Sequence, residues 1–86
     1  MSEARSTSTT RAAHDRAARS LSEVDRARRR VHAGRRDRVG RWEEQRLRAE
    51  LLAALEHYES AMAAAGAYLP YRLRAELDLY RVLGDG

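Results

Sequence analysis

Apolar side chains recur at helical spacing through the middle of the chain. The steps between them are four, four, three, four and three residues, and they fall at Leu47, Leu51, Leu55, Tyr58, Met62 and Ala65. Since 3.6 residues make one turn, this spacing places all six on one side of a helix. Glu43 and Glu44 suit the first turn and Gly66 follows the last, so the pattern predicts a long helix over residues 41–65.

A shorter apolar pattern follows Pro70, with Leu73, Leu77 and Tyr80 on one side. Proline suits the first position of a helix and Gly84 suits its end, which predicts a helix over residues 70–83. These two helices form a hairpin in which each apolar face is wider than its neighbour can cover. We therefore expect a homodimer or a complex with another helical protein.

The apolar positions nearer the N-terminus face another direction. They project about 140° away from the first pattern and comprise Leu21, Val24, Val31, Val39 and Trp42. Gly34 and Gly40 lie where the direction changes, which predicts a bend between them. We expect an N-terminal helix over residues 11–33 or 21–33, with Ser20 and Glu23 as a capping box for the later start and Gly34 as a left-handed end.

The opening ten residues, MSEARSTSTT, contain no large apolar side chain except the initial methionine. This composition predicts a disordered tail over residues 1–10, followed by a single helical domain over residues 11–86. The alternation that marks β-strands is absent from the sequence, so the expected fold class is all-α: the long central helix and the short C-terminal helix as a hairpin, with an arginine-rich N-terminal helix.

The composition limits the size of the core. Of 37 apolar residues 16 are alanine, and phenylalanine, isoleucine and cysteine are missing. A small chain with so few large side chains and no disulfide commonly gains stability by association. No apolar run resembles a signal peptide or a membrane span, so we expect no membrane contact and a cytoplasmic location.

Positive charge is concentrated in one block, residues 26–41, which holds eight arginines and one aspartate. Lysine is absent while alanine and arginine abound, as expected for a very GC-rich genome such as that of a high-GC bacterium. Base composition therefore weakens the block as a sign of nucleic-acid binding. Its arginines also surround the helix, and Arg28 and Arg35 interrupt the apolar pattern, where we expect them to pair with acids of the C-terminal half or of another subunit.

Candidate chemistry is sparse. His14, His32 and His57 fit no zinc pattern, and the glycines of GRRDRVGR lack the Lys-Ser/Thr that a phosphate loop requires. We therefore expect no enzyme, metal, cofactor or small-molecule substrate. The acidic residues need no catalytic role, because ion pairs between residues four apart on helix surfaces account for them. The predicted pairs are Glu44 with Arg48, Arg46 with Glu50, Arg72 with Glu76, and Arg74 with Asp78.

Two functional hypotheses remain. The first is a small interaction or assembly protein that packs helix to helix, and the tyrosines of the second half, including Tyr68 and Tyr71, favour an interface there. Its predicted partner interface is Leu47, Leu51, Leu55, Tyr58, Met62, Leu73, Leu77 and Tyr80.

The second hypothesis is a nucleic-acid-binding accessory or regulatory protein. Arginine forks bind phosphates and an aromatic ring stacks on bases. The residues that this hypothesis assigns are Arg26, Arg28, Arg29, Arg30, Arg35, Arg36, Arg38, Arg41 and Trp42.

Overall fold

The computed structural model describes the backbone of residues 2–85 and the side chains of residues 10–84. The described residues form three helices: α1 (Ser2–Arg36), α2 (Arg41–Ala64) and α3 (Tyr71–Asp85). Over residues 2–85 there is no strand, so the prediction of an all-α fold is confirmed. In this described part, no helix combines the length and the apolar character needed to cross a membrane.

The predicted bend is present between α1 and α2, but its geometry differs from the prediction. Gly34 stays inside α1, and the left-handed residue is Arg38, with φ 53°. The amide of Val39 donates to the carbonyl of Gly34 at 3.1 Å, and the amide of Arg38 donates to Arg35 at 3.3 Å. This is the hydrogen-bond pattern of a Schellman motif, which ends α1 three residues later than predicted.

The same motif ends α2, with a glycine at the left-handed position. Gly66 has φ 74°, its amide donates to Ala63 at 3.0 Å, and the amide of Ala67 donates to Met62 at 2.9 Å. Glycine adopts this conformation without steric cost, whereas arginine does not. The two helix ends are therefore built alike, and only the first places a bulky residue where glycine is favoured.

The turn folds α2 back along α1, and these two helices make the most extensive contact in the chain. The predicted hairpin between α2 and α3 also forms, with a smaller contact. Val24 and Val31 on the apolar side of α1 are buried against α2. α1 therefore covers more of the apolar face of α2 than α3 does. α3 also packs against α2 and completes the domain.

The core forms where the three apolar faces meet. Its fully buried members are Val24 of α1, Leu51 and Leu55 of α2, and Leu77 of α3. Removing side chains of this size from water is the main favourable term of folding. The faces that the spacing predicts are therefore the ones that pack.

α1 is longer than predicted at its N-terminal end. Its backbone is helical from Ser2, across the segment for which the sequence predicts a disordered tail, and through Ser20, the predicted cap. No glycine or proline occurs before Gly34, so nothing in the backbone interrupts the helix. The division into a tail over residues 1–10 and a domain over residues 11–86 stays a prediction. α3 starts at Tyr71, one residue after the predicted start.

Gly34 has a packing function. A Cβ atom added to it would lie 2.8 Å from Cδ1 of Leu47 and 3.3 Å from Cγ2 of Val39, and Gly34 is buried. The absence of a side chain thus lets α2 approach α1 closely just beyond the turn. Gly40, which precedes α2, has open space around its Cα.

We predict that Gly34→Val destabilises the fold by about 1–3 kcal/mol, because the larger residue overpacks the contact with Leu47. Gly40→Ser is the contrasting variant and should stabilise by a few tenths of a kcal/mol, since serine caps α2 where Gly40 makes no side-chain cap. Urea unfolding followed by circular dichroism measures both. An unchanged midpoint for Gly34→Val would contradict the close approach.

Ser20 is 3% exposed, and its Oγ has no hydrogen-bond partner among the described residues. We predict that Ser20→Ala stabilises the protein by about 1 kcal/mol, through helix propensity and the loss of an unsatisfied hydroxyl. Ser22→Ala is the matched control, because Ser22 is exposed. Its free energy of unfolding should rise by about 0.5 kcal/mol, from helix propensity alone. Equal gains for the two variants in thermal unfolding would show that the buried hydroxyl costs nothing.

Candidate interaction surfaces

The residues predicted as a partner interface lie in the interior of the chain. Leu47, Leu51, Leu55, Tyr58, Leu77 and Tyr80 are buried, and Met62 and Leu73 are half-buried against the same cluster. The reason is that α1 folds back on α2 and covers the face that was expected to need a second molecule. These side chains hold the domain together, and a partner must use another surface.

A different apolar surface is exposed, on the side of α3 that faces away from α2. We call Tyr71, Ala75, Leu79 and Val82 the α3 outer face. At about 100° per residue they fall within an arc of about 80°, opposite Leu77. Tyr71 is 85% exposed, Val82 70% and Leu79 54%. Tyr68, in the loop before α3, is 93% exposed.

Sequence reasoning missed the α3 outer face because α3 carries apolar residues on two sides. Helical spacing in the sequence predicts only the side with Leu73, Leu77 and Tyr80 as the apolar face of α3. The tyrosines of the second half were the one sign in the sequence of an exposed apolar surface. Of the four, Tyr58 and Tyr80 are buried, whereas Tyr68 and Tyr71 are exposed.

The structure divides the arginine block, and Arg28 belongs to the framework. Its Nε and Nη2 donate to the two carboxylate oxygens of Glu76 on α3 at 2.9 and 2.6 Å, and its Nη1 donates to Asp25 at 2.8 Å. This bidentate pair joins α1 to α3, as expected for an arginine within the apolar pattern. Hydrogen bonding to Glu76 raises the pKa of Arg28 against the lowering effect of burial, so the guanidinium stays charged.

Arg30 also forms part of the framework, with its Nη1 2.9 Å from Oε2 of Glu50 on α2. Arg26 and Arg29 are exposed on the side of α1 away from α2. Arg35, for which an acidic partner was expected, is exposed and has none within 4.0 Å among the described residues. The block therefore contains two structural arginines in α1, two exposed and unpaired arginines on the outer side of α1, and further unpaired arginines near the turn.

The unpaired arginines of the turn lie with an exposed tryptophan. We call residues 35–42 the hairpin tip; it holds four exposed arginines against the single Asp37, and Trp42 is 83% exposed. Among the described residues, none of these arginines has a carboxylate within 4.0 Å. They are Arg35, Arg36, Arg38 and Arg41.

Among the described residues, more acids pair across helices than along them. Arg74 lies 2.6 Å from Glu59, and Arg81 lies 3.3 Å from Glu59 and 3.7 Å from Glu56, so α3 is bound to α2 by charge as well as by apolar packing. None of the four predicted local pairs lies within 4.0 Å: Glu44 with Arg48, Arg46 with Glu50, Arg72 with Glu76, and Arg74 with Asp78. Three of the residues involved pair with another helix instead: Glu50 with Arg30, Glu76 with Arg28, and Arg74 with Glu59. Arg46 pairs with Glu43 at 2.6 Å.

Contacts between helices involve His57, Glu56 and Glu59. His57 is exposed, with its Nδ1 3.6 Å from Glu23 across the α1–α2 contact, and Glu56 and Glu59 face Arg81. Within residues described by the structure, no group of three or more histidine, aspartate or glutamate side chains could hold a metal ion. The polar chemistry visible here is ion pairing between helices.

No family model matches this chain, and neither a curated protein nor a solved structure is detectably similar to it. Its exposed surfaces, the α3 outer face and the hairpin tip, are therefore the basis for a proposed function.

We predict that Arg28→Ala destabilises the protein by about 1–3 kcal/mol, because it leaves the carboxylate of Glu76, whose side chain is 20% exposed, without its bidentate partner. Hydrogen bonding to Glu76 raises the pKa of Arg28, so the stability linked to its guanidinium is complete below the ordinary pKa of arginine and is lost as the pH rises through the raised value. Urea unfolding at neutral pH measures the change.

Arg46→Ala is the matched control for Arg28→Ala. It removes an exposed pair within one helix, and such pairs contribute little to stability. We expect no measurable change. Equal midpoints for Arg28→Ala and the wild-type chain would show that the contact between α1 and α3 is not stabilising.

Proposed function

We propose that this protein is a small non-enzymatic assembly module that forms a homodimer through the α3 outer face. The observation that supports this most is the exposure of Tyr71, Leu79 and Val82 along one side of a helix whose other side is in the core. Contiguous exposed apolar surface on a small protein commonly marks an interaction site. A cytoplasmic location stays a prediction of the sequence.

The exposed area of the chain is consistent with association. The surface measures 6547 Å². A compact monomer of 9.8 kDa exposes about 5,200 Å². The extended α1 contributes to this excess of roughly 1,300 Å².

A second copy is the partner we favour because the α3 outer face is complementary to itself. Ala75 lies midway between Tyr71 and Leu79, four residues or about 6 Å from each along the axis. A two-fold axis at Ala75 would place Tyr71 against the second copy's Leu79, and each Val82 near the segment that carries Tyr68. The small side chain of Ala75 would let the two helices approach closely, as a symmetric interface requires.

The charges of α3 permit this pairing although the whole chain carries +4. Residues 71–85 contain three arginines and three acids, so this helix is neutral. Arg74, Arg81 and Glu76 already have partners within the chain. Two copies that meet along α3 would therefore bury little unpaired charge, which is the main cost that opposes association of polar surfaces.

Sedimentation equilibrium over a range of micromolar concentrations tests the proposal. We expect a mass near twice 9.8 kDa for the wild-type chain and a monomer for Tyr71→Glu and Val82→Glu, since each introduces a charge into the α3 outer face. Both residues are exposed in the single chain, so the helical circular dichroism of both variants should remain unchanged.

Ala18→Glu is the matched control, because Ala18 is exposed on α1, away from the α3 outer face. It introduces the same charge and should leave the dimer intact. A wild-type monomer at all concentrations would overturn the proposed self-association, and so would a dimer that both α3 variants retain.

A further inference from the structure

The hairpin tip is a second exposed surface, separate from the α3 outer face and opposite to it in chemistry. Four arginines within seven residues have no acidic partner among the described residues, whereas Arg28 and Arg30 of the same block are bound to Glu76 and Glu50. Charges held close together without counter-charges repel one another and favour an anionic ligand. Arg26 and Arg29 are also exposed and unpaired on the outer side of α1, but the hairpin tip holds the larger cluster of free arginines.

Arg38 is a second sign that the hairpin tip serves a ligand. It occupies the left-handed position of its Schellman motif at φ 53°, where the equivalent residue at the end of α2 is Gly66 at φ 74°. An arginine there costs stability that glycine would not. A costly conformation at an exposed turn, beside three other arginines, is typical of a functional site.

Trp42 specifies the kind of anion. Its ring is 83% exposed at the first turn of α2, next to Arg41, and it is the only tryptophan of the chain. Arginine forks bind phosphate oxygens, and an exposed indole ring stacks on an unpaired base. We propose that the hairpin tip binds single-stranded nucleic acid, with Arg35, Arg36, Arg38 and Arg41 on phosphates and Trp42 stacked on a base.

The shape of the hairpin tip favours a single strand over a duplex. Two packed helices are about 20 Å wide, whereas the major groove of duplex DNA is about 12 Å wide. Bases within a duplex are also stacked on each other and cannot receive the indole ring. A membrane surface is less suitable, because Trp42 is the only large apolar side chain of the hairpin tip that is mostly exposed.

Titration with oligo(dT) and oligo(U) of about 12 nucleotides, followed by the emission of Trp42, tests the proposal. We expect quenching with micromolar affinity, and a slope of log affinity against log salt near −3, as four phosphate contacts give on a single strand. Duplex DNA of equal length should bind at least about tenfold more weakly and leave the emission largely unchanged.

Two variants with equal loss of charge identify the site. Replacing the four arginines of the hairpin tip by alanine should weaken binding at least about tenfold at low salt. Replacing four other exposed arginines, Arg11, Arg16, Arg19 and Arg72, should have a much smaller effect. Neither set has an ion pair in the described part of the chain, so circular dichroism should show both variants folded.

Arg38→Gly and Trp42→Ala separate binding from folding. Arg38→Gly should raise the thermal midpoint and weaken oligonucleotide binding, which a purely structural arginine would not do. Trp42→Ala should weaken binding about tenfold in the anisotropy of a labelled oligonucleotide, since stacking contributes one to a few kcal/mol per base. Binding that survives both changes would overturn the assigned contacts.

Three further outcomes would overturn the proposal. One is equal loss in the two fourfold variants, which would indicate attraction by overall charge. Another is duplex binding as tight as single-strand binding. The third is a blue shift of Trp42 emission with vesicles of phosphatidylcholine and phosphatidylserine without any quenching by oligonucleotides, which would assign the hairpin tip to a membrane surface.

Discussion

The structure depends on the burial of α2 on two sides at once. Leu51 and Leu55 have no exposed surface, because α1 covers them from one direction and α3 from the other. A helix with so wide an apolar face cannot be satisfied by a single neighbour. This requirement explains why an 86-residue chain folds into three helices rather than into a simple hairpin, and why the side chains that were expected to meet a partner are internal.

Ion pairs in this protein follow from the packing and do not determine it. Once α1 and α3 lie on α2, Arg28 is near Glu76 and Arg74 is near Glu59, and the long side chains span the edges of the apolar contacts. Asp78 lies four residues after Arg74 on the same helix, but Arg74 pairs with Glu59 of α2. Arginines remain unpaired where the chain turns, since Asp37 is the only acid within the hairpin tip.

Helical spacing was sufficient to predict α2, α3 and the bend, because residues such as Leu51 and Leu77 must face the core for the domain to fold. It was insufficient for features that depend on contacts between elements. The use of Gly34 follows from the position of Leu47 on another helix, and Ser20 resembles a cap in sequence although the helix continues through it. The α3 outer face was missed for a related reason: helical spacing does not say which of two apolar sides will be covered.

The short turn between α1 and α2 has a consequence for folding kinetics. Only residues 37–40 separate the two helices, so the contacts nearest the turn close the smallest loop and lose the least chain entropy. Pairing of α1 with α2 is therefore expected to proceed from the turn toward Ala17, and α3 adds contacts of longer range. The first step also brings four like charges together, so added salt should speed hairpin closure by screening their repulsion. The rate at which this chain folds is thus tied to the ionic strength of its surroundings through the same arginines that remain exposed when folding is complete.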